Sequence, residues 1–93
     1  MKSITYFYLA GCPYCRHADR AIEELTAENP EYGKVPVEKI NEALHPMLVA
    51  KYDYYYVPTM FVDGTKAYEA DPGQGYEEIK EKVREVFELA LGT

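Results

Sequence analysis

The amino-acid sequence predicts an α/β fold with a four-stranded mixed sheet and helices on both faces, in the order β-α-β-α-β-β-α. Three observations support this prediction. Short runs of β-branched and aromatic residues alternate with amphipathic segments in the first half of the chain. Two later runs are joined by Asp63-Gly64, a pair typical of a tight hairpin turn. A long apolar stripe then predicts a final helix, and 93 residues allow one domain spanning 1–93.

The first strand and the first helix follow from local patterns. Residues 4–9 are apolar on both faces, as expected of a central strand that is covered on both sides. After Gly11 a helix begins with Cys12 at the N-cap and Pro13 at the first helical position, where the missing N–H costs nothing. Asn29-Pro30 ends this helix.

The remaining elements are predicted from shorter patterns. Residues 35–40 form a second strand, which Pro36 restricts to an edge of the sheet. A second helix opens at His45-Pro46 and leads to residues 52–53. The hairpin strands occupy 59–62 and 65–70, and the final helix follows the loop 71–75. Its apolar stripe consists of Ile79, Val83, Val86, Phe87, Ala90 and Leu91.

Charge and hydropathy exclude several classes of function. The formal net charge of −6 leaves no basic stripe for nucleic acid. No stretch approaches the roughly 20 apolar residues that span a bilayer. The apolar run near the start is shorter than the 7–15 residues or so of a secretory signal. We therefore expect a cytoplasmic monomer without nucleic-acid or membrane partners.

The two cysteines of the chain both lie in Cys12-Pro13-Tyr14-Cys15. A bridge that closes so short a loop constrains the unfolded chain very little, so it does not serve stability. At the start of a helix, unpaired N–H groups and the helix dipole stabilise a thiolate on Cys12, which makes it a nucleophile for disulfide exchange. Cys15 lies nearly one turn further and can resolve a mixed disulfide, while Arg16 adds a positive charge.

The same spacing is also half of a zinc site. A closed structural zinc site needs four ligands, and besides the cysteines the chain offers His17 and His45. His17 faces a different side of the predicted helix, and His45 is predicted to cap the second helix. We therefore predict no metal site.

The tetrapeptide Cys12-Pro13-Tyr14-Cys15 matches the active-site motif of dithiol glutaredoxins, and Val57-Pro58-Thr59 resembles the second signature of the thioredoxin superfamily. Both motifs occur in family order within essentially the whole chain. The resemblance implies a minimal, glutaredoxin-like thioredoxin fold. It also implies that the Val57–Pro58 peptide is cis, that Pro58 lies beside the cysteines, and that the backbone of Val57 pairs with the substrate.

The resemblance also implies the function. The expected protein is a thiol-disulfide oxidoreductase that reduces protein or small-molecule disulfides, with Cys12 as nucleophile and Cys15 as resolving thiol. It would have no bound cofactor. Glutathione is a candidate co-substrate, and either glutathione or a thioredoxin-reductase-like enzyme would be the electron donor. The expected substrate-binding residues are Pro13, Tyr14, Arg16, Val57 and Pro58.

The chain departs from the glutaredoxin pattern in ways that bear on glutathione. It lacks the Lys that usually precedes the first cysteine, and residues 71–75 replace the Gly-Gly-x-Asp segment. Gly73 and Gly75 can still offer N–H groups to a carboxylate. Thioredoxins carry a Trp before the motif and an acidic residue on the first strand, and both are missing here. We expect protein disulfides to be reduced better than glutathionylated ones.

Two alternatives remain open from the sequence. The tyrosines at 52, 54, 55 and 56 either pack the second helix onto the sheet or, with Tyr14, line an apolar groove for a substrate. The rival function is a non-catalytic adaptor of the same fold. Its cysteines would sense redox state or bridge a metal–sulfur cluster between two chains.

Overall fold

A computed structural model describes residues 1–92, which form four strands and three helices in the predicted order, with two short 3₁₀ turns. None of the helices within these residues is both long and apolar enough to cross a membrane. The elements are β1 Ile4–Tyr8, α1 Pro13–Glu28, β2 Val37–Asn41, α2 Pro46–Val49, β3 Thr59–Val62, β4 Thr65–Glu69 and α3 Tyr76–Leu91; the turns are Tyr32–Lys34 and Glu42–Leu44.

The sheet has the strand order β2-β1-β3-β4, and it is mixed as predicted. β1 runs parallel to β2 and antiparallel to β3. The carboxyl end of β1, which leads to Cys12, therefore lies beside the amino end of β3, which follows Pro58. The pairing of Phe7 with Thr59 marks this end of the two strands. The topology thus brings the two sequence motifs together although they are far apart in the chain.

One side of the sheet, the helix-covered face, is packed against α1 and α3. Its core is an almost fully buried cluster of side chains from both helices and the sheet. Phe87 stacks on Tyr32 with ring centroids 5.2 Å apart. The main helical members of this cluster are Ala18, Ala21, Leu25, Ile79, Val83, Val86, Phe87 and Ala90.

The other side, the loop-covered face, has a smaller core made of Phe7, Ile40 and Phe61. Tyr52 packs edge-on against Phe7 and Phe61, with centroid distances of 4.9 and 4.7 Å. Tyr54 stacks on Phe7 at 5.1 Å. These two tyrosines therefore pack onto the sheet, as the first of the two alternatives predicts.

The second strand begins later than the sequence predicts, at Val37 rather than at residue 35. Pro36 has no N–H, and its carbonyl oxygen instead accepts a hydrogen bond from Ile4 N at 2.9 Å. Val35 ends the preceding turn, where its N–H donates to Tyr32 O at 3.1 Å. Regular pairing starts one residue after the proline, with Ile4 opposite Val37.

The second helix is much shorter than the prediction that it reaches residues 52–53. It ends at Val49, and the N–H groups of Lys51 and Tyr52 donate to carbonyls three residues back, at 3.0 and 2.9 Å. This tighter geometry ends the helix and turns the chain so that Tyr52 reaches the sheet. The first and fourth strands also end one residue earlier than predicted, at Tyr8 and Glu69.

Candidate active site

Cys12 lies at the start of α1, where the sequence places it. Its backbone is extended, with φ −78° and ψ 120°, and its sulfur accepts a hydrogen bond from Cys15 N at 3.3 Å. Pro13 occupies the first turn of the helix, as predicted. A half-exposed sulfur is therefore held at the positive end of a 16-residue helix by a backbone donor.

Cys15 is the buried member of the pair, with 2% of its surface exposed. Burial raises the pKa of the Cys15 thiol well above its ordinary value, and its hydrogen bond to the Cys12 sulfur acts in the same direction. Both cysteines are free, so the structure shows the dithiol state. The two thiols have different environments: Cys12 is accessible from solution, and Cys15 is held protonated behind it.

The Val57–Pro58 peptide is cis, which confirms the expectation from the resemblance. Pro58 is buried just before β3, at the same end of the sheet as the cysteines. The Cys12 sulfur lies 3.8 Å from the carbonyl oxygen of Val57. The backbone of Val57 therefore borders the Cys12 sulfur.

Glu69, at the end of β4, holds the segment that leads to this peptide, and no sequence pattern indicated this role. One carboxylate oxygen accepts the N–H groups of Tyr55 and Tyr56, the latter at 2.8 Å. The other pairs with Lys66 at 2.8 Å. Partial burial would raise the pKa of Glu69, but Lys66 and the two amides outweigh it and keep the pKa below its usual value. A stable carboxylate thus fixes the backbone just before Val57.

A buried phenol lies beneath the cysteine motif. The hydroxyl of Tyr6 lies 3.1 Å from the carbonyl oxygen of Cys15 and 2.9 Å from a carboxylate oxygen of Asp19, which pairs with Lys39 at 3.1 Å. Burial, reinforced by Asp19, raises the pKa of Tyr6. The first strand carries no acidic residue, so the carboxylate near Cys15 comes from the helix instead. The spacing of four residues from Cys15 to Asp19 is the sequence signal that would have indicated it.

The loop before α3 corrects one expectation. Gly73 N donates to the hydroxyl of Tyr14 at 2.9 Å, and Gly75 N lies 3.4 Å from a carboxylate oxygen of Glu78. The N–H groups of the two glycines are therefore used within the chain and are not open to a carboxylate. Tyr14, predicted to bind substrate, contacts this loop from its position between the cysteines.

The other predicted residues lie around the pair or away from it. Arg16 is exposed and forms no ion pair within 4 Å among residues 1–92. His17 packs against Tyr76, with ring centroids 5.6 Å apart. His45 precedes α2 without a side-chain cap bond. Within the described part of the chain no three His, Cys, Asp or Glu side chains are grouped as a metal ion requires.

Comparisons with known proteins agree with this architecture. No protein-family model matches the chain. It is 36% identical over 61 residues to a thioredoxin from Methanocaldococcus jannaschii, a match that covers 66% of this chain and 69% of that protein. Oxidised thioredoxin O1 from Arabidopsis thaliana matches with a TM-score of 0.61 and 26% identity, over 90% of this chain and 76% of that one.

A mutant thioredoxin from Halobacterium salinarum NRC-1 shares the fold, with a TM-score of 0.57 and 24% identity over 89% of this chain and 72% of that one. The similarity to the archaeal and plant thioredoxins is spread over most of the chain rather than confined to one motif. Together with the cysteine pair and the strand order, it identifies the family. The chain belongs to the thioredoxin-like superfamily.

Proposed function

We propose that this protein is a dithiol oxidoreductase that reduces disulfide bonds in protein substrates through Cys12 and Cys15. The observation that carries the proposal is the contrast between the two thiols. The Cys12 sulfur is accessible, capped by an amide and 3.8 Å from Val57 O, whereas Cys15 is buried one turn behind it. A nucleophile and a protected resolving thiol are what reduction in two steps requires.

The reaction proceeds by two exchanges. The Cys12 thiolate attacks one sulfur of the substrate disulfide, forms a mixed disulfide with it and expels the other sulfur as a thiolate, which takes up a proton. Cys15 then loses its proton and attacks the Cys12 sulfur, which releases the second substrate thiolate. Two electrons pass to the substrate, and the enzyme is left with a Cys12–Cys15 disulfide. A thiol donor, either glutathione or a thioredoxin-reductase-like enzyme, restores the dithiol by the same exchange in reverse.

The preference for protein substrates is supported by the surface next to Val57. Tyr55 and Tyr56, which precede it, are 86% and 54% exposed, so they offer aromatic surface to an unfolded chain. In contrast, the Gly73 and Gly75 N–H groups are occupied, and no Lys stands among the four residues before Cys12. A glutathione carboxylate would therefore find few donors. We expect the protein to act as a monomer in the cytoplasm.

The test is reduction of insulin disulfides, with glutathione plus its reductase and, separately, with thioredoxin reductase as the donor. Cys12→Ser should lower the rate at least about a thousandfold, because no other thiolate occupies the helix start. Cys15→Ser should accumulate mixed disulfides, which mass spectrometry of the trapped adduct would show. Iodoacetamide should modify Cys12 faster than Cys15.

The two serine variants are reciprocal controls, since each retains one thiol and the same fold. No turnover by the wild-type protein with either donor would overturn the proposal. Equal alkylation of the two thiols near neutral pH would contradict the assignment of their roles.

A further inference from the structure

We propose that Tyr14 and Glu78 are specificity-determining residues that close the 71–75 loop to anions and so select against disulfides that carry a carboxylate. This inference rests on the proposed oxidoreductase function and deepens it by naming the substrate class. The class is neutral and cationic disulfides. Tyr14 and Glu78 act by accepting hydrogen bonds from backbone N–H groups that an anionic substrate would otherwise use.

Every backbone N–H of the 71–75 loop donates within the chain. A carboxylate binds to a loop and helix start of this kind through unpaired N–H groups. Pro72 has none to offer, and the remaining four are all occupied. The bonds are Asp71 N to Gln74 Oε1 at 3.1 Å, Gly73 N to Tyr14 Oη at 2.9 Å, Gln74 N to Asp71 O at 3.3 Å and Gly75 N to Glu78 Oε1 at 3.4 Å.

The loop is also anchored to the core and to the cysteine motif. The buried Tyr68 donates its hydroxyl proton to Gln74 Oε1 at 2.9 Å, which holds the loop from below. Tyr14 comes from between the two cysteines, 59 residues away in the chain, so its bond to Gly73 places the loop beside the reactive pair. Opening the loop to a ligand would break bonds at both anchors.

The charges around the loop are mainly negative. Glu77 and Glu78 occupy the first turn of α3 and offset the positive end of its dipole. Burial raises the pKa of Tyr68 to about 12, and the nearby Asp71, Cys15 and Glu78 add to this effect. Asp71, Glu78 and Cys15 therefore all lie close enough to the Tyr68 hydroxyl to affect its pKa.

Two arginines oppose this negative field. Arg20 lies 4.5 Å from the centre of the Tyr76 ring and pairs with Glu24 at 3.3 Å, so its charge is already matched. Arg16, exposed just after the motif, is the cation that an anionic substrate can approach. An anion beside the 71–75 loop therefore meets one arginine but no open N–H of that loop, and several carboxylates repel it.

The experiment uses three small symmetrical disulfides that differ in charge: cystamine, bis(hydroxyethyl) disulfide and dithiodiglycolate. Each is mixed with the pre-reduced protein, and the rate of enzyme oxidation is measured in a single turnover, without an added donor. Each rate is divided by the rate of the same disulfide with dithiothreitol, which removes its intrinsic reactivity. The normalised rates should fall in the order cationic, neutral, anionic.

Tyr14→Phe and Glu78→Gln should each raise the anionic-to-neutral ratio about fivefold, because each frees a donor and the second also removes a charge. Glu85→Gln, exposed further along the same helix, is the matched control and should leave the ratio unchanged. Arg16→Gln should lower the ratio. Circular dichroism checks that each variant is folded.

Failure of this inference is distinct from failure of the proposed function. Oxidation of the wild-type protein at equal normalised rates by all three disulfides would overturn the inference and leave the oxidoreductase function intact. Variants that change all three rates by the same factor would also overturn it, since they would show a structural role only. If none of the three oxidises the protein although insulin is reduced, the inference fails; if insulin is not reduced either, the proposed function itself fails.

Discussion

The two faces of the sheet are covered by different kinds of structure. The helix-covered face lies under two helices of 16 residues each and encloses a large core of buried side chains. The loop-covered face lies under a helix of four residues and an irregular segment, and its core has three buried side chains. Regular helices stabilise one face, while the other presents the backbone of Val57 to Cys12. The difference separates the part that holds the fold from the part that borders the Cys12 sulfur.

Aromatic side chains explain how an irregular segment covers a sheet. Tyr52 and Tyr54 supply large apolar rings to Phe7 and Phe61 without requiring helical backbone. The hydroxyl of Tyr54 bonds Glu42 at 2.6 Å, so its polar end is satisfied at the margin of the core. Their packing brings the chain back to the sheet just before Val57.

The largest expected effect on stability belongs to the helix-covered face. Phe87→Ala should lower the free energy of unfolding by about 3–5 kcal/mol, because it leaves a cavity in a closed core. Tyr52→Ala, on the half-buried loop-covered face, should cost about half as much. Urea unfolding of the reduced proteins measures both.

Insulin reduction then makes the comparison a functional one. At a temperature where both variants are folded, Phe87→Ala should retain most of the activity, whereas Tyr52→Ala should lose several-fold through displacement of the Val57 segment. If the two variants lost equal amounts of stability and equal amounts of activity, the two faces would not differ in their roles, and the prediction would be wrong.

The fold was predictable because its signals are local. Gly11 and the proline after Cys12 indicate the start of α1, and Asp63-Gly64 indicates the hairpin. The length of α2 was not predictable, since the sequence after Pro46 continues a plausible helical pattern. Packing of Tyr52 and Tyr54 on Phe7 outweighs that pattern.

The candidate site divides in the same way. The cysteine pair and the cis peptide could be inferred from two short motifs. The hydrogen bonds from Gly73 N to Tyr14 and from Tyr56 N to Glu69 join residues that no local pattern connects. Such bonds depend on which strand ends lie at the same end of the sheet. They become visible only when the fold is assembled.

The next prediction concerns the buried thiol of Cys15, at the start of α1. Its pKa is raised above the ordinary value of 9.0, first by burial, so the folded state favours the protonated thiol. The contribution of the Cys15 thiol to the free energy of unfolding is therefore full below about pH 9. It is lost as the pH rises toward the higher pKa of the folded state. Against Cys15→Ala, the reduced wild-type protein should lose up to about 1.4 kcal/mol per pH unit in that window.

Unfolding by urea between pH 7 and pH 10.5 tests this, and the difference between the two proteins cancels the titration of buried tyrosines. A difference that stays constant with pH would show that Cys15 has the same affinity for its proton in the folded and unfolded chains. If the stability of the wild-type protein relative to Cys15→Ala instead increased with pH, the pKa of Cys15 would be lowered in the folded state, and the prediction would be wrong.

The smallest effect belongs to the loop-covered face, where Tyr54→Phe removes the hydroxyl that bonds Glu42 and keeps the ring that stacks on Phe7. We expect a loss of about 1 kcal/mol near neutral pH, typical of a hydrogen bond at a partly exposed site. Burial and the Glu42 carboxylate both raise the pKa of Tyr54, so its contribution is full below pH 10 and disappears as pH rises further.

The variant and the wild-type protein should therefore converge in stability above pH 10, and absorbance at 295 nm should show one fewer late-titrating phenol in the variant. Glu42→Gln should lower the pKa of Tyr54, because it removes the negative charge beside the phenol but keeps an acceptor. In the double variant the two losses should not add, since both changes act on one bond. Additive losses would show that Tyr54 and Glu42 stabilise the loop-covered face independently, and the ring packing alone would then hold the segment before Val57.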